Sequence, residues 1–351
     1  MSEPYDKVVE SVERKIYALF REAREGIQEA IDQLLEIFMP KVDISDDETK
    51  EEQKKELIAG LLTLRKKDIK AVTGKLFDVN KEAKDTINDA VPLAFAESMN
   101  HESYDIEHDV DDIGLFPVDE EDISEWLDEF PELYETKELD EDKDNKWNAK
   151  NLRNTIIAGI MIGVAKDKLG KYVTNKLIKR NRNSMVNNAY VTVSGAGEAG
   201  KVTAMFNAET KGLEMEKLWT ATLDFKTRDE HRALDGNRVA LDEEFAPGLR
   251  YPRDPQAPAN QRCNCRCTMQ KVYKGWVNTG KRRENIRHPL PGGGWEKPLV
   301  PQMTYAEWYE MKVQELGEVE IKRQVKEMKR EQQKKYYRNR KRKLKQEKEG
   351  A

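Results

Sequence analysis

Apolar residues recur every three to four positions through most of the first hundred residues. Val9, Val12, Ile16, Leu19, Phe20, Ile27, Ile31, Leu34 and Phe38 share one side of a 3.6-residue repeat. They predict one amphipathic helix over 5–38, stopped at Pro40, whose nitrogen cannot continue the hydrogen-bond ladder. A second helical region is predicted over about 48–100, from Leu57, Leu61, Leu62, Ile69, Val72, Leu76, Ile87, Val91 and Leu93. Residues 101–146 are acidic, with Trp126, Phe130, Leu133 and Tyr134 interspersed, so they can dock on a neighbour where a purely acidic tract would stay solvated. Helix returns near Asn148 and runs to about Lys179. The stretch 184–212 fits helix and strand equally. Beyond it the period falls to two: "LWTATLDFKT", "VALDEEF" and "CRCTMQKVYKG" predict short strands, the one sheet in this reading. Eight of the thirteen prolines fall between Pro247 and Pro301, which marks loops and an arm. Thr304 and Glu307 then form a capping-box pattern that opens a charged helix reaching toward Glu349.

This pattern describes an α+β protein, predominantly helical, with long N-terminal helices, a small C-terminal sheet module, an extended arm and a charged C-terminal helix. The expected divisions are an acidic helical region at 1–147, a helical connector at 148–212, the sheet module at 213–275, and a proline-rich arm with a basic helical tail at 276–351. A chain of 351 residues exceeds what one core usually organises, which agrees with several modules. Its 38% hydrophobic and 36% charged residues, with mean hydropathy −0.85, describe long solvated helices around modest cores. The longest apolar run, Ile156 to Ala165, is ten residues where a membrane span needs about 20, so a buried helix segment is expected there. The first ten residues lack the basic-then-apolar order of a secretory signal, and without export the cysteines do not read as a disulfide framework.

Charge changes the picture further. Residues 1–150 hold 20 Lys and Arg against 42 Asp and Glu, a balance of −22; the remainder holds 61−20 = 41 basic and 66−42 = 24 acidic residues, a balance of +17. Opposite halves imply different neighbours for each end, or contact between them in an assembly. From Lys322 onward there are 14 basic and 4 acidic residues, and Lys334, Lys335, Arg338, Arg340, Lys341, Arg342 and Lys343 suit sequence-independent contact with DNA phosphates. The same run also reads as a solvated helix.

Three segments carry candidate chemistry. "GAGEAGKV", Gly195 to Val202, approaches a phosphate-binding glycine loop, but Val202 stands where a hydroxyl must reach magnesium; a small-residue bend or a tightly packed helix is the better reading. Cys263, Cys265 and Cys267 are the whole thiol complement, and alternation places them on one face of an extended segment. With His231 they form a Cys3His donor set of the kind zinc prefers, two cysteines plus His231 being favoured over all three. The alternative is that the thiols are small buried apolar groups.

Taken in order, "WTATLD" (Trp219 to Asp224), "TRDEHRALDG" (Thr227 to Gly236), "FAPG" (Phe245 to Gly248) and "NCRC" (Asn264 to Cys267) resemble the C-terminal module of phage head morphogenesis proteins, the minor head proteins related to protein F of phage Mu. The resemblance covers 213–273. Some members resemble a metal site more strongly, with a cysteine pair where this chain has Arg228 and His231. The resemblance implies a non-enzymatic virion component bound to portal protein, and to other capsid or scaffolding proteins, at the portal vertex inside the head. It implies residence in the host cytoplasm during assembly and roles in packaging or ejection of double-stranded DNA. Some relatives carry an enzymatic toxin domain after the module; the roughly 75 charged, proline-rich residues that follow here are too few for a catalytic core. Trp219, Asp224, Thr227, Arg228, Asp235 and Gly236 are expected to act through fold and docking, with no catalytic residue. The competing readings are a metal-dependent hydrolase-like site built on Asp224, Asp229, His231 and a cysteine, and a host-directed nucleic-acid-binding protein.

Overall fold

Ala23 divides the first amphipathic stretch into two helices, α1 (Asp6–Glu22) and α2 (Arg24–Phe38), where one was expected. In the computed structural model the described residues are 3–38, 60–61, 66–110, 113–276, 280–286, 288–289, 295–327 and 330. Leu57, Leu62, Pro40 and the seven tail residues Lys334, Lys335, Arg338, Arg340, Lys341, Arg342 and Lys343 lie outside them. The remaining helices of the first part are α3 (Lys66–Asn88), α4 (Val91–Val110), α5 (Glu120–Glu129), α6 (Glu141–Met161) and α7 (Lys166–Thr210). Asp119 and Asp140 cap α5 and α6, accepting from the amides of Asp122 at 2.8 Å and Lys143 at 2.9 Å. Such caps satisfy amides that a helix start leaves open.

The single helix expected over 148–179 is two, and the ambiguous 184–212 is helix. The chain stops at Met161 because Gly163, at φ +73°, takes a left-handed conformation in which the amides of Gly163 and Val164 bond back to Ile160 and Gly159. It restarts as α7, whose 45 residues would span about 68 Å at 1.5 Å per residue. α1, α2, α3, α4 and α6 all pack against α7. From Val193 to Val202 every residue of α7 is buried, so no solvent face imposes a period on that stretch.

The glycines of this stretch make room for neighbours. A Cβ on Gly197 would overlap the ring of Tyr5, one on Gly200 the backbone carbonyl of Phe95, and one on Gly195 would sit 2.7 Å from the carbonyl oxygen of Arg253. "GAGEAGKV" is therefore a packing seam within a helix. Glu198, fully buried in the same seam, accepts from the Tyr5 hydroxyl and from Arg253 Nη2, both at 2.9 Å, and Lys201 pairs with Glu3.

The chain divides into two compact units: Met1–Leu213 with Ala246–Cys265, and Glu214–Phe245 with Arg266–Ala351. The second opens with a three-stranded antiparallel sheet in the order β2-β1-β3, built from β1 (Met215–Thr220), β2 (Arg238–Ala240) and β3 (Thr268–Tyr273). Its register pairs Lys217 with Val239 on one side and Lys271 on the other. A short helix, α8 (Asp229–Leu234), lies between β1 and β2, and α9 (Ala259–Arg262) precedes β3 in the chain.

Residues expected to form only loops and an arm contain two further ladders. β4 (Lys281–Arg283) pairs antiparallel with β7 (Leu299–Pro301), and β5 (His288–Pro289) with β6 (Trp295–Glu296). Their prolines sit at strand ends, where a missing amide costs little. Val300 joins Leu223, Tyr305 and Trp308 in a second apolar cluster. The capping box is present: the Thr304 hydroxyl accepts from the Glu307 amide and Glu307 from the Thr304 amide, opening α10 (Tyr305–Leu316). The architecture is thus predominantly helical α+β. No helix among the described residues is long and apolar enough to cross a membrane.

Candidate functional site

β1 delivers Trp219 to the sheet interior, where its ring lies edge-on to His231 and to Phe245, each with centroids 5.2 Å apart. The chain then turns through Ala221–Thr227. Asp224 Oδ1 accepts from the amides of Lys226 at 2.8 Å and Thr227 at 3.0 Å, the side-chain turn that aspartate forms locally. The Thr227 hydroxyl closes the loop on the Thr222 carbonyl at 2.6 Å, and the Thr222 hydroxyl reaches the Arg266 carbonyl at 2.6 Å. Arg266 grips both oxygens of Asp224, and Asn285 adds a bond at 2.9 Å. Arg266 stands between Cys265 and Cys267, so alternation turns it away from the thiols.

Burial alone would raise the Asp224 carboxyl, but Arg266, the Lys226 amide and Asn285 outweigh it and hold the group below its ordinary value. A depressed carboxyl contributes stability above its unfolded pKa of about 3.9, lost as pH falls through the folded value. The sheet unit is therefore expected to lose stability on acidification below about pH 4, and Asp224→Asn should flatten that dependence in acid titrations of the melting temperature.

The "LDG" turn is a second saturated centre. Asp235 Oδ2 pairs with Arg282 Nη1 at 2.7 Å, Oδ1 accepts from Arg282 Nη2 at 3.0 Å, and the amides of Ala221 and Tyr305 complete its coordination. Tyr305 also donates its hydroxyl to the Asp224 carbonyl at 2.9 Å. Gly236 sits at φ +84°, and its amide bonds the Trp219 carbonyl at 3.0 Å; a Cβ there would come within 2.8 Å of Thr304 Cγ2. Glycine is required on both counts. Arg228 is half-buried at the N-cap of α8, where its side chain makes no capping bond.

His231 projects from α8 into the interior, with Nδ1 3.4 Å from Cys267 Sγ. The donor atoms of His231, Cys265 and Cys267, all buried, lie within 4.8 Å of one another. Cys263 is outside this group. Asn264, at φ +57°, breaks the extended run in which all three thiols were expected to share a face. Two thiols and an imidazole converging in a buried space fit a borderline-soft ion such as zinc, whose four-coordinate preference leaves one position for a further ligand.

Arg266, Arg282, Asn285 and Tyr305 were not singled out from the sequence. Arg266 carried a signal, its place between two alternating cysteines. Arg282 and Tyr305 lie 47 and 70 positions beyond Asp235, and nothing local ties them to it.

Residues 150–270 match the family described as Phage Mu protein F like protein. This segment, about a third of the chain, is similar to the phage head morphogenesis family. Minor head protein GP7 of Bacillus phage SPP1 is 29% identical over 168 residues, 46% of this chain and 51% of that protein. NAD(+)–arginine ADP-ribosyltransferase EFV of Enterococcus faecalis (strain ATCC 700802 / V583) is 27% identical over 166 residues, 46% of this chain and 31% of that protein. The chain thus spans at most about half the length of these curated relatives. No solved structure matches it. The head-morphogenesis segment runs from the last turns of α6 through α7 to β3, wider than the 213–273 of the sequence resemblance.

Proposed function

We propose that this chain is a structural, non-enzymatic minor head protein of a tailed phage or prophage, bound at the portal vertex inside the head and aiding assembly, packaging or ejection. One observation carries the reading beside the family match. Both carboxylates of the module's motifs, Asp224 and Asp235, spend their oxygens on arginines, an asparagine and backbone amides. A hydrolytic site needs a carboxylate free to take a proton or hold a substrate, whereas these are consumed in fastening the arm to the sheet. The transferase relative is matched over 31% of its length, and its printed activity finds no further support in these residues. The partners in this reading are portal protein, met through the acidic helices or the sheet module, and other capsid or scaffolding proteins. Phe130, 43% exposed on the acidic segment, is an apolar anchor for such a partner. DNA contact would fall to the basic tail. Mass spectrometry of purified virions and procapsids tests the assignment: the chain is expected in both, and its absence from both overturns it.

His231, Cys265 and Cys267 are, in the same proposal, a structural zinc site that ties α8 to the start of β3. Purified protein is then expected to contain about one equivalent of zinc, and His231→Ala to lower both metal content and melting temperature. Metal-free protein whose melting is indifferent to chelator would leave the thiols as apolar packing.

A further inference from the structure

The helical unit holds a cavity of about 120 Å³ that the head-protein reading does not use. A water needs only about 10–15 Å³ of such space, so a polyatomic ion fits. Lys84 from α3, Arg262 from α9 and Lys137 line it, with Tyr134, Asn188 and Thr192. Lys84 is 6% exposed, and among the described residues its ammonium has a single hydrogen-bond partner, Asn188 Oδ1 at 3.2 Å. Arg262 bonds the Pro255 carbonyl at 3.4 Å through Nη1, while its buried Nε has no hydrogen-bond partner among the described residues. Lys137 donates to that same carbonyl at 2.8 Å. No carboxylate among the described residues forms an ion pair with any of the three.

Buried cations are ordinarily paired, because removing a charge from water costs several kcal/mol that only an opposite charge offsets. Here buried Lys84 and half-buried Arg262 line one space with exposed Lys137 at its edge, and all three are left to neutral oxygens. Arg253 also lines the cavity, but Glu198 neutralises it. We propose that this cavity is an anion-binding site for a phosphate-type dianion, held by Lys84 and Arg262 with Lys137 at its mouth. The exposed Glu135 and Glu138 also line the opening and disfavour a large polyanion there. Burial lowers Lys84 to about 8; Glu138 and Asp85 oppose that shift, and Arg262 and Lys137 reinforce it. An anion seated between Lys84 and Arg262 would remove their repulsion and hold Lys84 protonated, so binding takes up a proton above pH 8.

The test is calorimetric titration of the full-length protein with inorganic phosphate at constant ionic strength set by chloride. Saturable binding is expected, with Lys84→Met and Arg262→Gln each weakening it at least about tenfold, the loss of one charge-assisted hydrogen bond. Circular dichroism establishes that both variants remain folded. Sulfate, whose charge is constant, should bind with flat affinity below pH 8 and falling affinity toward pH 10. Competition by a short DNA duplex would identify the phosphate as belonging to a backbone, and its failure to compete a free ion. The proposal is overturned by absence of saturable binding, by either folded variant binding phosphate as the parent does, or by sulfate affinity unchanged through pH 10.

Discussion

Asp235→Ala is expected to unfold the sheet unit under conditions in which the parent chain stays folded. The carboxylate is almost fully buried, and four groups rely on it: the two nitrogens of Arg282 and the amides of Ala221 and Tyr305. Removing one partner of a buried ion pair typically costs about 3–5 kcal/mol, because the remaining charge stays buried and unmatched. A whole domain is stable by only about 5–15 kcal/mol, so the loss approaches the full stability of a small unit. Trp219 and Trp308 are buried in this unit and report its unfolding by fluorescence. The double variant Asp235→Ala with Arg282→Met should recover part of the loss, since it removes the orphaned charge as well. A single-variant cost under about 1 kcal/mol would show that Asp235 is a surface-like pair of little consequence.

The second large effect is expected at Glu198→Ala, in the middle of α7. Glu198 is inaccessible to solvent, and its Oε1 receives the Tyr5 hydroxyl and the guanidinium of Arg253, itself 1% exposed, with Lys201 3.7 Å away. Alanine leaves two buried cations around an empty place, and a cost of about 3–5 kcal/mol follows on the same reasoning. Arg253 also holds φ at +67°, a conformation costly for a residue with a side chain, so losing its anchor removes one of the contacts that offset that cost. Glu198→Gln, which keeps the shape and one acceptor, should cost less. Helical signal in urea titrations measures both, and equal midpoints for Glu198→Ala and the parent would refute this account of the seam.

Local pattern made several features readable in advance. The caps of α10 follow from Thr304 and Glu307 standing three residues apart. The alternation of "LWTATLDFKT" and "CRCTMQKVYKG" pointed to β1 and β3, although the strands end at Thr220 and begin at Thr268, and their pairing lets His231 come back against Cys267. The motifs that resemble head morphogenesis proteins lie inside the segment matched to that family. Two features were not legible, each for its own reason. The stretch 184–212 showed no clear period because its middle, Val193 to Val202, is buried on every side, so the alternation that betrays an amphipathic helix is missing there. The helix over 5–38 was taken as unbroken because Ala23 interrupts the backbone without disturbing the apolar stripe.

By itself the sequence determined the helical α+β class, the acidic and basic halves and the donor chemistry of His231 and the cysteines. These depend on near neighbours, through periodicity, capping and composition. Only the tertiary structure decided which charges meet. Arg266 finds Asp224 across 42 positions, Arg282 finds Asp235 across 47, and Arg253 finds Glu198 across 55. It also decided that Cys263 stands apart from Cys265 and Cys267, and that Lys84 and Arg262 share a cavity. An arginine is soluble and unremarked wherever it lies in a chain; only when folding removes it from water must it find an anion, and nothing in its flanking residues names which one.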